Sequence, residues 1–290
     1  MNQNEAVFRD APVRTAVVRM AVPTVISSLV LVIYNMADTF FVGQTHDAMQ
    51  VAAVSLTNPV FVMFMAIANL LGIGGSAVIS ILLGQQMHKE AKTASSFCCY
   101  ASLIFGVLSA LIILPLMDPL LSVLGSTQNT IQPAREYLFY IAVGAPFILF
   151  ANTFGHVVRG EGAAKASMVG GMIGTVVNIV LDPVFILTLN MGTAGAAIAT
   201  VLGNVCGCIY YVWYFMRRSS MLSIHPRHLR GDKHQMVQVV TIGIPAGVNS
   251  ALMSIATVLL NNALVQYGDD PVAAMGIVTK AYLFIVFIHM

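Results

Sequence analysis

Apolar residues fall into eight long blocks along the 290-residue chain, near 17–42, 52–82, 97–121, 137–158, 167–189, 194–216, 237–267 and 272–290. Each complete block reaches the roughly 20 residues that a helix needs to cross a bilayer. The longer ones must tilt or run past the hydrocarbon. Proline or glycine interrupts several, at Pro23, Gly72 to Gly75, Pro115, Pro146 and Pro245. Helix packing absorbs such breaks where neighbours or water satisfy the freed backbone groups. The pattern predicts an all-α polytopic membrane protein.

Composition agrees. The chain is 58% hydrophobic and 9% charged, against roughly 25% charged residues in a soluble domain. Mean hydropathy is +0.83. The first 15 residues, MNQNEAVFRDAPVRT, are polar and lack a small-residue cleavage site, so the first span is expected to act as its own insertion signal.

Charge orients the chain. Arg9, Arg14 and Arg19 precede or open span 1, Lys89 and Lys92 separate spans 2 and 3, and Arg159 and Lys165 separate 4 and 5. Arg217, Arg218, Arg227, Arg230 and Lys233 separate 6 and 7. Of the 14 Lys and Arg, only Arg135 falls in an opposite-side connection and only Lys280 in a span. The positive-inside rule then predicts a cytoplasmic amino terminus in a multi-pass protein of the cell (inner) membrane.

After the polar linker 217–236 the chain starts again. MAVPTVISSL (20–29) is similar to IGIPAGVNSA (242–251), and VAAVSL (51–56) to VAAMGI (272–277), at offsets of 222 and 221 residues. Two matches at nearly one offset signal a repeat. With six spans per copy, both copies enter the membrane in the same direction, about an axis along its normal. Residues 1–216 are expected to form one six-helix lobe, and 237–290 to begin a second that is cut off within its second helix, at FIVFIHM. The intact protein is expected to have twelve spans and roughly 450 residues, from doubling the repeat.

Only two acidic residues lie well inside spans, Asp38 and Asp182. An Asp at mid-membrane costs about 2.5–3.5 kcal/mol on insertion scales. In span 1, Thr24, Ser28, Asn35, Asp38 and Thr39 recur at helical spacing and form one polar stripe. In span 5, Asn178 and Asp182 share a face at i, i+4 within NIVLDPVF, and Pro183 loosens the backbone beside them. Asp38 lies about 6 Å and Asp182 roughly 10 Å from the outer end of its span, at 1.5 Å per residue. Two carboxylates at similar depth can share a pocket holding a proton or Na⁺, because repulsion and desolvation disfavour two bare charges. The alternative is that each bonds a neighbouring helix or headgroup-level water. The matched depth and the adjacent amides favour the pocket.

Other signals are weaker. Cys98, Cys99, Cys206 and Cys208 lie in apolar runs, where packing is the expected role. Glycine pairs at i, i+4 (Gly170 and Gly174, Gly203 and Gly207, Gly243 and Gly247) allow close helix approach. Arg159 and Glu161 in RGEGAAKAS fit hinge or orientation roles. With no phosphate loop, nucleophile triad or metal cluster, the chain is not expected to be an enzyme, to bind nucleic acid or to carry a cofactor.

The segments MADTFFVG, VAAVSLTNPV, RGEGAAKASM, NIVLDPVFI and GTAGAAIAT resemble the MATE (multidrug and toxic compound extrusion) transporters, in their DinF- and MepA-like branch. The resemblance spans the whole chain. It implies twelve helices in two lobes and antiport, in which organic, often cationic compounds leave as H⁺ or Na⁺ enters. It also implies a cation site built from Asp38, Asn178, Asp182, Tyr137 and Thr200, a bending helix at Pro23, and a monomeric intact protein. Tyr140, one turn from Tyr137, is the competing tyrosine. Two alternatives stand beside it: a flippase for lipid-linked saccharides, which would favour a broad basic cavity, and a non-transporting truncated membrane fragment.

Overall fold

The computed structural model describes residues 47–217, 221–227, 233–268 and 270–279, together with positions 18, 22, 23, 25, 26, 29, 30, 33, 40, 41 and 44. Asp38, Asn35, Thr24, Ser28, Thr39 and Lys280 lie outside the described residues. The helices are α1 (Ala48–Gly84), α2 (His88–Ile113), α3 (Met117–Val123), α4 (Ile131–Gly160) and α5 (Ala164–Pro183). A π-helical turn, Val184–Thr188, extends α5, and α6 (Gly192–Arg217) and α7 (Lys233–Val265) follow. A shorter apolar helix, α8 (Asp270–Thr279), comes last. Six of these helices are long and apolar enough to cross a membrane.

One apolar block divides. The segment at 97–121 does not form a single helix: α2 starts earlier, at His88, and stops at Ile113, and α3 begins at Met117. Pro115 explains the stop, since it has no N–H for the carbonyl of Leu111 and its ring crowds the preceding turn. The short α3 is followed by a turn at Gly125, whose φ of 89° suits a residue without a Cβ.

Helix α4 sits centrally, against α1, α2, α5 and α6, and α7 lies along α1. Two apolar cores result. One joins Ile113, Leu121, Leu138, Ile141, Leu149 and Ile186. The other joins Val78, Ile79, Phe150, Phe154, Tyr211 and Phe215, with Phe150 stacked on Phe154 at 4.3 Å. The outward faces are apolar as well: Leu111 is 63% and Ile112 58% exposed. In water that surface would be a large apolar patch; in lipid it is solvated.

The connections carrying Lys89, Lys92, Arg159, Lys165 and Arg217 share one end of the bundle, termed the basic end. At the opposite, far end, Arg135 pairs with Asp118 at 3.4 Å in an exposed contact, which contributes little to stability.

Part of the linker is held down at the basic end. Ser95 and Ser96 donate to the Ser223 carbonyl at 2.7 and 2.9 Å, and Tyr100 donates to the Ile224 carbonyl at 3.2 Å. Ser95 Oγ also accepts from the Ser223 N–H at 3.0 Å. The polar start of α2 is therefore helical beneath a docked segment, where Met221 and Leu222 are buried. A Ser95→Ala, Ser96→Ala double variant should speed trypsin cleavage after Arg227 about tenfold, from the loss of roughly 1–2 kcal/mol of local hydrogen bonding. An unchanged cleavage time course would show that these hydroxyls do not hold the linker.

Candidate functional site

The site begins with a glycine contact. Gly174 on α5 and Gly203 on α6 bring the two backbones together: a Cβ on Gly174 would stand 3.0 Å from the Gly203 carbonyl oxygen. A Cβ on Gly203 would stand 3.3 Å from the Cβ of Asn178. One turn along each helix, this approach places Asn178 beside Thr200.

Asn178, Asp182 and Thr200 are buried at 2%, 0% and 4% exposure. The amide orientation that satisfies both neighbours puts Asn178 Nδ2 3.0 Å from Asp182 Oδ2, as donor. Its Oδ1 then accepts from the Thr200 N–H at 2.9 Å and the Thr200 hydroxyl at 3.2 Å. With the amide turned over, Nδ2 instead donates to the Thr200 hydroxyl at the same 3.2 Å. A hydroxyl can donate or accept, so Thr200 accommodates either orientation. Asn204, one turn further along α6, donates to the Thr200 carbonyl at 2.8 Å; the sequence alone did not single it out.

Beyond Asp182 the helix changes form. Pro183 cannot donate to the Ile179 carbonyl, and the Val184 N–H bonds the Leu181 carbonyl. The π turn follows, closed by Leu189 N–H to the Val184 carbonyl at 2.9 Å. Such insertions concentrate at functional positions. Pro183 was the visible cue, but the π turn itself has no signature in sequence.

Tyr137 is buried at 8% exposure, in the core that holds Ile186, Ala196 and Ala197. These residues lie one turn from Asp182 and Thr200. Tyr140 is only partly buried and sets its ring edge-on to Phe139 at 5.4 Å. Pro23 is buried. Asp38, the remaining member of the expected set, lies outside the described residues. Elsewhere, Glu161 is buried and accepts from the Tyr214 hydroxyl at 3.2 Å, and Ser80 donates to the Gly160 carbonyl at 2.9 Å. That turn is thereby tied to both α1 and α6.

A cavity of about 620 Å³ opens at the far end, lined among others by Asp47, Gln50, Gln132, Glu136 and Thr193. It does not include Asn178, Asp182 or Thr200. The buried cluster is separate from it and offers carboxylate, amide and hydroxyl oxygens. Such hard donors suit a proton or a hard cation.

Comparison with known proteins identifies the family. The multidrug export protein MepA of Staphylococcus aureus (strain NCTC 8325 / PS 47) is 33% identical over 270 residues, covering 93% of this chain and 60% of that protein. The chain thus spans about 60% of the length of the curated relatives it matches. Two solved structures of multidrug resistance MATE family transporters of the MOP superfamily superpose well. The inward-facing one has a TM-score of 0.80 at 32% identity, with 90% of this chain and 59% of the other covered. The outward-facing one has 0.84 at 29% identity, with 98% and 66% covered. The MatE family model matches residues 23–184, more than half of the chain, from Pro23 to just past Asp182. The chain belongs to the MatE family.

Proposed function

We propose that this chain is the larger part of an exporter of organic, often cationic compounds, driven by the entry of H⁺ or Na⁺. Residues 1–216 would be the amino-terminal lobe, 217–236 the linker, and 237–290 the start of the carboxy-terminal lobe. The basic end would face the cytoplasm, and the amino terminus with it, because Lys and Arg crowd its connections. The observation that carries the proposal is the buried oxygen cluster of Asn178, Asp182 and Thr200 inside membrane-spanning helices. An intramembrane carboxylate at zero exposure is a functional feature by default.

In this proposal Asp38 completes the site from span 1, and Tyr137 borders it. The coupling ion binds at Asp38 and Asp182, while Asn178 turns its amide oxygen toward a cation or its nitrogen toward a carboxylate. Ion binding favours one arrangement of the lobes over the other and displaces the drug. Pro23 supplies a point at which span 1 can bend. Conformers open to either side among similar transporters support such a cycle.

The test is Asp38→Asn in the full-length protein, reconstituted in proteoliposomes with an imposed pH or Na⁺ gradient. Ion-driven movement of a cationic dye should be lost while membrane insertion is retained. Unchanged dye movement would overturn the proposal, and the gradient that drives the wild type identifies the ion.

A further inference from the structure

The linker segment clamped to α2 places basic residues of two elements side by side. Ser95 and Ser96 hold the Ser223 carbonyl, and Ser96 also donates to the His225 carbonyl at 3.3 Å. The segment then turns on itself. The His225 N–H donates to Ser223 Oγ at 3.1 Å, and the Arg227 N–H to His225 Nδ1 at 3.2 Å. An Nδ1 that accepts leaves the hydrogen of a neutral imidazole on Nε2, as a donor. His225 and Arg227 are exposed.

Lys89 and Lys92 stand on the clamped side of α2. At about 100° per residue, Lys92 falls between Ser95 and Ser96 around the helix, and Lys89 falls close to Ser96. Glu90, the acid of the first turn of α2, falls on the opposite side from Lys92. Among the described residues no carboxylate pairs with Lys89, Lys92 or Arg227.

Depth and chemistry then change together along this face. The apolar run of α2 begins at Phe97. At 1.5 Å per residue, Lys92 lies about 7 Å and Lys89 about 12 Å beyond it. A headgroup layer is roughly 5–8 Å thick, so Lys92 is level with the phosphates and Lys89 lies at their water side. In the other direction the clamped face continues as Tyr100, Ile104, Val107 and Leu111, at intervals of four, three and four. Tyr100 is partly buried and bonds the linker, whereas Ile104, Val107 and Leu111 are exposed. The face is cationic at headgroup level, hydroxylic at the boundary and apolar below it. One anionic lipid molecule has the complementary profile; a free phosphate would use only the first part.

We propose that Lys89, Lys92, His225 and Arg227 bind the headgroup of an anionic phospholipid, whose acyl chains run along Ile104, Val107 and Leu111. The linker is the second wall of this site, and Ser95 and Ser96 build it. The inference needs only a membrane-spanning chain and stands whether or not the protein transports.

The test titrates the full-length protein, solubilised in neutral detergent, with palmitoyl-oleoyl phosphatidylglycerol or phosphatidylcholine, and reads bound lipid by native mass spectrometry. Phosphatidylglycerol should be retained in preference to phosphatidylcholine. Lys92→Gln should weaken its binding about fivefold, as expected for one basic residue at a membrane surface. The Ser95→Ala, Ser96→Ala double variant removes no charge. It should weaken binding at least as much, because the freed linker carries His225 and Arg227 away from α2. Lys165→Gln removes the same charge as Lys92→Gln, but at the start of α5, which packs on α4 and α6. It should change binding little. Equal losses in Lys92→Gln and Lys165→Gln would reduce the effect to the general charge of the basic end and overturn the site, as would unchanged binding in the serine variant. Displacement of the lipid by inorganic phosphate at equal concentration would mark a site for free phosphate and overturn the lipid assignment.

Discussion

On the proposed antiport, Asp182→Asn in the full-length protein is expected to abolish ion-driven export while leaving the protein inserted and folded. The substitution keeps the size of the side chain and an acceptor oxygen for Asn178, whose nitrogen lies 3.0 Å from Asp182 Oδ2. It removes the one property that matters to an ion cycle: the ability to carry a negative charge and to neutralise it with a proton or a cation. Loss of a charge-assisted hydrogen bond costs about 1–3 kcal/mol. A buried Asp is itself expensive, at about 2.5–3.5 kcal/mol on insertion scales, and a neutral amide relieves that. The two effects nearly offset, so thermal stability should stay close to wild type while activity disappears. Dye movement under both gradients, read beside membrane abundance and a melting curve, checks this. Export above half of the wild-type rate would sink a role for Asp182 in coupling. Export lost together with the folded protein would make Asp182 a structural group. Thr200→Val, which removes the hydroxyl 3.2 Å from Asn178, should weaken export without abolishing it.

Gly203→Val should be among the most destabilising single changes in the bundle. A Cβ at Gly203 would meet the backbone of Gly174 and the Cβ of Asn178, neither of which can turn aside. Overpacking a well-filled interior costs about 1–3 kcal/mol, sometimes more, and backbone-to-backbone contact puts this site at the upper end. The same displacement would pull Thr200 away from Asn178, so residual folded protein should export poorly. Gly171 is the control: nothing lies within 4 Å of a Cβ there. Gly171→Ala should be neutral or stabilise α5 by about 0.5–1 kcal/mol, the usual gain from removing a helical glycine. Melting of detergent-solubilised protein separates the two. Equal effects at Gly171 and Gly203 would refute the close-approach account.

Both predictions depend on features that were unequally visible beforehand. Asn178 and Asp182 were legible as one face of one helix, because i, i+4 spacing holds wherever the helix sits. Thr200 entered only through family resemblance, since nothing within α6 says which of its residues meets Asn178. The glycine pairs at i, i+4 looked like generic packing. The structure gives Gly174 and Gly203 a particular task, closing α5 on α6 one turn from the cluster. In the block at 97–121 Pro115 was visible as an interruption, but hydrophobicity does not say whether a proline kinks a span or divides it, and the structure divides it into α2 and α3.

The sequence by itself determined the membrane class, the succession of spans, the asymmetry of charge and the repeat. These follow from the solvent: in lipid a helix satisfies almost all of its backbone groups internally, so each span reads as a self-contained length of apolar helix. Only the tertiary structure decided which faces meet. Thr200 against Asn178, linker residues Ser223 and Ile224 on α2, and Asn261 at the Ser55 carbonyl all join residues from different elements. Lipid does not distinguish one apolar helix face from another. The choice therefore rests on glycine contacts and on polar side chains reaching particular backbone atoms, and no periodicity along the chain records those.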